Sequence, residues 1–223
     1  MELIHTLNRG VDKRKIFLDE QDYFRFIHDL FEFNEQDWIN TTYYRFHKSN
    51  DIASRNIERK PRKLLVDIHA FCIMPNHYHL LLTSRVKDGI SKFMKKLNMG
   101  YAKYFNQKYN RVGALFEGRY KSVLIKEEAH FIHVPYYIHC NPLDLKYPTW
   151  RNRSLKTPKA ALKFLDSYRW SSHLDYMGKK NFPSVTNRNL LLKFFGGPKE
   201  YQKALEEWLE DMEIDAFKEF VLE

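Results

Sequence analysis

Residues 64–83, LLVDIHAFCIMPNHYHLLLT, constrain the fold more than any other stretch of the chain. Two apolar runs of strand length, 64–73 and 77–83, meet at Met74-Pro75-Asn76, whose Pro-Asn pair is a turn signal, so they form a hairpin. The unbroken Leu80-Leu81-Leu82 makes the second strand central and buried. The flanking patterns fit such a sheet. Residues 3–7 form a short strand that turns at Asn8-Arg9-Gly10, and Asp19 precedes a helix with Tyr23, Phe26, Ile27, Leu30 and Phe31 on one face. Ile90, Phe93, Met94, Leu97, Tyr101, Tyr104 and Phe105 recur at helical spacing. Residues 120–125 form a fourth strand, and Glu127-Glu128 open a helix that stops at Asn141-Pro142. The order β-α-β-β-α-β-α predicts an α+β fold, a ferredoxin-like antiparallel sheet with helices on one face and one helix added. We expect a domain over 1–144 with a polar, basic arm inserted at about 40–63. A linker and helical C-terminal extension follow over 145–223, with its last helix acidic and amphipathic.

The formal charge of +9 is unevenly spread. Between positions 85 and 126, eleven Lys and Arg face two acids, a net of +9, whereas from 199 to 223 nine acids face three lysines. A concentrated basic face predicts a polyanion partner, because neutralising phosphates with release of counterions supplies most sequence-independent affinity for nucleic acid. Lys92, Lys95, Lys96 and Lys103, on the polar side of the helix over 90–105, are candidate contacts, with Arg119 and Lys121 beside the fourth strand. No apolar run approaches the ~18 residues of a membrane span, and the first residues carry no signal-peptide pattern, so a cytoplasmic protein without membrane contact is expected. Cys72 and Cys140 form no CxxC pair and are expected to be free thiols.

In His77-Tyr78-His79 the two-residue period of a strand puts both imidazoles on one face and Tyr78 on the other. Two nitrogen donors at adjacent same-face positions can bind one metal ion without backbone movement. Such a pair also occurs by chance in a chain with ten histidines. Its place at the start of a buried strand, where polar rings need partners, favours the ligand role.

MPNHYHLLL after HAFCI resembles the signature of the HUH nucleases, two histidines around a hydrophobic residue, here with Tyr78 between them. NRG near the N-terminus, KFMKKLNMGYAKYFN, GALFEGRYKS, YIHCNP and YRWSSHLDYMG follow in order. Together they resemble the REP-associated tyrosine transposases, relatives of single-tyrosine insertion-sequence transposases, over most of residues 3–178. The resemblance implies an HUH nuclease fold, a divalent metal such as Mg2+ or Mn2+, and single-stranded, hairpin-containing DNA as substrate, with a homodimer as the expected assembly. It places the nucleophile at Tyr137, with His77, His79 and Asn141 as metal ligands.

Tyr137 and Asn141 are four residues apart and share a helix face, whereas Tyr136, the rival nucleophile, lies about 100° around the helix with Cys140 on its face. Tyr120 is a weaker candidate. The implied chemistry is nicking and strand transfer: attack of the phenol on phosphorus gives a 5′-phosphotyrosine link and a free 3′-OH. Pro135 removes one helical hydrogen bond and is expected to kink or restart the helix just before Tyr136. Two other functions fit parts of the sequence. A binding module for DNA or RNA could keep the fold without the activity, and a zinc hydrolase could use the imidazoles but lacks a third ligand at a recognisable spacing.

Overall fold

The computed structural model describes residues 2–37, 61–126, 128–152, 155 and 158–211; positions 40–60 of the expected arm and the acidic end past 211 lie outside them. Four strands, β1 (Leu3–Arg9), β2 (Val66–Met74), β3 (His77–Ser84) and β4 (Lys121–Ile125), form one sheet in the order β2-β3-β1-β4. All three pairings are antiparallel. Helix α1 (Glu20–Glu32) joins β1 to β2, and α2 (Gly89–Lys108) joins β3 to β4. This is the ferredoxin-like arrangement expected from the sequence.

The expected core strand is β3. Leu80, Leu81 and Leu82 are all buried, and burying each such side chain contributes about 1.5–3 kcal/mol, so both faces must be covered. Tyr78, Leu80 and Leu82 pack with Phe71, Ile73 and the apolar sides of α1 and α2. Leu81, Ala70, Cys72 and Met74 belong to a second cluster on the other face. A register shift between Ile68 and Ala70 resets the alternation of β2, which puts Ile68 and Phe71 on the same side. Asp19 caps α1 as expected, accepting from Asp22 N while the Asp22 carboxylate accepts from Asp19 N. Gly100 lets α2 approach the end of α1, since a Cβ there would lie 2.3 Å from the Phe33 ring.

The second face is covered by α3 (Glu128–Cys140) and by the C-terminal elements α4 (Pro158–Ser167), α5 (His173–Tyr176), α6 (Asn189–Phe195) and α7 (Pro198–Asp211). Pro135 sits inside α3 without interrupting it, so the expected restart before Tyr136 does not occur. The chain then tightens into a 3-10 turn at Asn141–Leu145. The segment YRWSS shields the edge of β2: Ile73 N donates to Trp170 O at 2.9 Å, and Ser172 N to Phe71 O at 3.0 Å. On α7, Tyr201 takes hydrogen bonds with His139 of α3 at 2.8 Å and His173 at 3.1 Å, while Trp208 donates to His133. These contacts fix the azimuth of α3 against the sheet. Both cysteines are free and buried. Among the described residues no helix is long and apolar enough to cross a membrane.

Candidate active site

His77 and His79 occupy alternate positions of β3 and project from the face covered by α3, while Tyr78 projects into the α1/α2 core, where its hydroxyl donates to Asn98. The imidazole centroids are 5.0 Å apart. Each ring is held through Nδ1. His77 Nδ1 donates to Asn76 Oδ1 at 2.6 Å, and His79 Nδ1 lies 2.9 Å from His5 Nε2. Holding Nδ1 in this way fixes ring orientation and directs metal ligation to Nε2. His5 stacks on His79 with centroids 5.1 Å apart. It was not among the sequence candidates, although a histidine between Leu3 and Leu7 on the inward face of a strand was a visible signal.

Helix α3 brings Tyr137 onto this cluster. Its ring lies edge-on to His79 at 5.8 Å and to His5 at 6.1 Å. Tyr136 points elsewhere, into the aromatic group of Phe195, Tyr201 and Trp208, where burial pushes its phenol above the usual range. The Tyr120 hydroxyl lies 3.3 Å from Ser91 Oγ at the start of α2, across the sheet from the histidines. Tyr137 is therefore the tyrosine that the fold sets beside the histidine pair.

Asn141 directly follows α3, and its Nδ2 donates to Tyr137 O at 2.8 Å, satisfying a carbonyl of the last helical turn. Its Oδ1 accepts from Arg151 at 3.2 Å. The other terminal nitrogen of Arg151 donates to the Tyr137 hydroxyl at 2.9 Å, and its guanidinium is anchored by Asp144 at 2.7 Å. Arg151 thus ties the nucleophile candidate to the amide candidate. Arg151 was not among the sequence candidates. Trp150 is fully buried and donates to Asp144, which is packing.

Two histidine nitrogens and an amide oxygen are a chemically reasonable donor set for a divalent ion whose remaining positions are filled by water or phosphate oxygens. Among the described residues no group of three or more His, Cys, Asp or Glu has metal-holding geometry.

The basic residues divide. Lys92, Lys95 and Lys103 are exposed on the outer side of α2, the opposite face of the sheet from the histidines. Lys96 is turned inward and donates to Glu35 O at 2.5 Å, closing the region after α1. Arg119 is exposed in the loop before β4. Lys121 pairs with Leu7, which pairs with His79, so it stands on the histidine face two strands, or roughly 10 Å, from that histidine.

Residues 40–141 match the family model described as Transposase IS200 like, Y1_Tnp. The matched stretch contains His77, His79, Tyr137 and Asn141, and β1 with His5 lies outside it. A solved structure described as "Structure of the REP associates tyrosine transposase bound to a REP hairpin" aligns over 83% of this chain and 84% of that one, at 12% identity and a TM-score of 0.48. No curated protein matches the chain at a significant level.

Proposed function

We propose, from the match of residues 40–141 to the IS200-like transposase model, that the protein nicks and transfers single-stranded, hairpin-containing DNA through a covalent link to Tyr137. The observation that carries this is the edge-on placement of the Tyr137 ring against His79, on the face where both histidines project. His77, His79 and Asn141 would hold a divalent ion, Mg2+ or Mn2+, which when bound withdraws charge from the phosphate to be cut. The Tyr137 oxygen bonds to phosphorus, the P–O3′ bond breaks, and the phenol proton is delivered through solvent to the departing 3′ oxygen. One phosphodiester is exchanged for another, so the bond energy is kept for rejoining.

The resting arrangement favours a second function, a non-catalytic nucleic-acid-binding module. Tyr137 is 1% exposed, and Arg151 occupies both its hydroxyl and the Asn141 oxygen. Activity requires Arg151 and DNA to share that space. Incubation with single-stranded DNA from around the gene, with Mg2+ or Mn2+, followed by a denaturing gel, separates the two. The proposal expects a nick and a protein-DNA adduct that chelation abolishes and that His77→Ala and His79→Ala lack while still binding DNA. Tight binding with no adduct under any metal would establish the binding module instead.

A further inference from the structure

Beside the histidine pair stands a cation, the arginine of the NRG turn. Arg9 is the last residue of β1 and pairs directly with His77 of β3. Directly opposed residues of antiparallel strands present their side chains on the same face, with Cβ atoms about 4.5–5.5 Å apart. The position is fixed by the turn that follows. Gly10 N donates to Asn76 O at 2.8 Å, and a Cβ on Gly10 would lie 2.5 Å from Arg14 O, so the chain can pass this point only with glycine. The turn thereby locks the β1 end against the β2–β3 hairpin and keeps Arg9 beside His77.

What sets Arg9 apart is its lack of partners. Among the described residues its guanidinium makes no hydrogen bond, ion pair or ring contact, and its Nε is buried from solvent. The chain's other site arginine, Arg151, is satisfied by Asp144, Asn141 and Tyr137. A guanidinium with a desolvated N–H and no acceptor needs an anion, and its planar fork suits two oxygens of a phosphate.

We infer that Arg9 is the phosphate-binding residue of this site, holding the non-bridging oxygens of the phosphodiester that lies against His77 and His79. This rests on the proposed DNA-cutting function for the identity of the phosphate, but not for the existence of the anion site. On the same face Lys121 is placed, through Leu7, to meet the strand farther along. Arg9 would neutralise the charge that builds on the phosphate oxygens during attack, a contribution separate from that of any ion at the histidines.

The test has two arms, each with wild type, Arg9→Met and Arg9→Lys. In the first, inorganic phosphate is titrated without divalent metal, at ionic strength matched with chloride, and thermal midpoints are followed. Phosphate should raise the midpoint of wild type and Arg9→Lys but not of Arg9→Met, whose midpoint without phosphate should equal or exceed that of wild type. Equal responses in wild type and Arg9→Met would overturn the anion site. In the second arm, adduct formation is timed on single-stranded DNA. Arg9→Met should lower its maximal rate on the order of a hundredfold while affinity for the whole strand falls only a few-fold, and Arg9→Lys should recover part of the rate. An unchanged rate in Arg9→Met would overturn the assignment to the phosphate being cut. Should wild type form no adduct, the cutting function fails and the phosphate titration still decides the fate of Arg9.

Discussion

Arg151 donates to the hydroxyl of Tyr137 at 2.9 Å and lies over its ring, with the guanidinium carbon 5.0 Å from the ring centroid. The two residues come from different elements, Tyr137 from α3 and Arg151 from the turn at Trp150–Asn152, and Asp144 holds the arginine in place. The fold therefore flanks the proposed nucleophile on two sides: His79 and His5 at its edge and Arg151 at its oxygen. Removing the arginine should leave the phenol poorly aimed. Arg151→Ala is expected to slow adduct formation by about ten- to a hundredfold with little change in DNA affinity, because small misplacements of reacting groups have effects of that size. Single-turnover rates against strand concentration check this, and a loss confined to affinity would contradict it.

Tyr136 makes the opposite prediction from its neighbour. Its hydroxyl is buried without a hydrogen-bond partner among the described residues, while its ring packs with Tyr201 and Trp208. Tyr136→Phe should be neutral or stabilising by up to about 1 kcal/mol, since an unsatisfied buried hydroxyl is removed and the ring stays. Denaturant midpoints measure the stability, and adduct formation should continue at the wild-type rate.

The lysines of α2 should separate into two behaviours. Replacing Lys92, Lys95 and Lys103 together by Ala should weaken DNA binding across sequences and flatten its dependence on salt without shifting the thermal midpoint, because all three are exposed. Lys96→Ala should instead lower stability by about 1 kcal/mol and leave the salt dependence unchanged, since its ammonium is bonded to Glu35 O. Affinity measured at several salt concentrations distinguishes them. A steep loss of binding in Lys96→Ala would return it to the phosphate contacts.

Asp29 gives a pH dependence with a defined sign. Burial raises its carboxyl from the ordinary 3.8 to about 7, against the opposing pull of Arg25 at 2.9 Å. The folded state thus holds this proton more tightly than the unfolded chain. Its contribution is fully present below about pH 4 and is lost as pH rises towards 7. The thermal midpoint of Asp29→Asn relative to wild type should therefore climb between pH 5 and pH 8. A difference that stays constant over that interval would contradict the assignment.

The sheet was legible because its signals are periodic and local. Two-residue alternation, the Pro-Asn turn and the Asp19 cap each depend on neighbours in sequence, and β1 to β4 with α1 to α3 fall within a few residues of expectation. The strand period set His77 and His79 on one face, while Tyr137 was singled out by the resemblance of YIHCNP to the transposases, and the fold brings the three side chains together. Arg9, His5 and Arg151 join the site through pairing between distant strands and through a turn after α3, which no local period encodes. Pro135 was expected to kink or restart α3, and the helix runs on through it, packed between the sheet and α7. Lys96 looked like its neighbours Lys92 and Lys95 until the segment after α1 supplied carbonyl partners.

The most direct measurement identifies the tyrosine that carries DNA. Wild-type protein is reacted with single-stranded hairpin DNA and divalent metal, the covalent adduct is isolated and digested, and the nucleotide-bearing peptide is sequenced by mass spectrometry. The account predicts the label on Tyr137 alone, and no adduct from Tyr137→Phe, which keeps the ring against His79 and should bind the hairpin as wild type does. A label on Tyr136 or Tyr120, or an adduct from Tyr137→Phe, would contradict it.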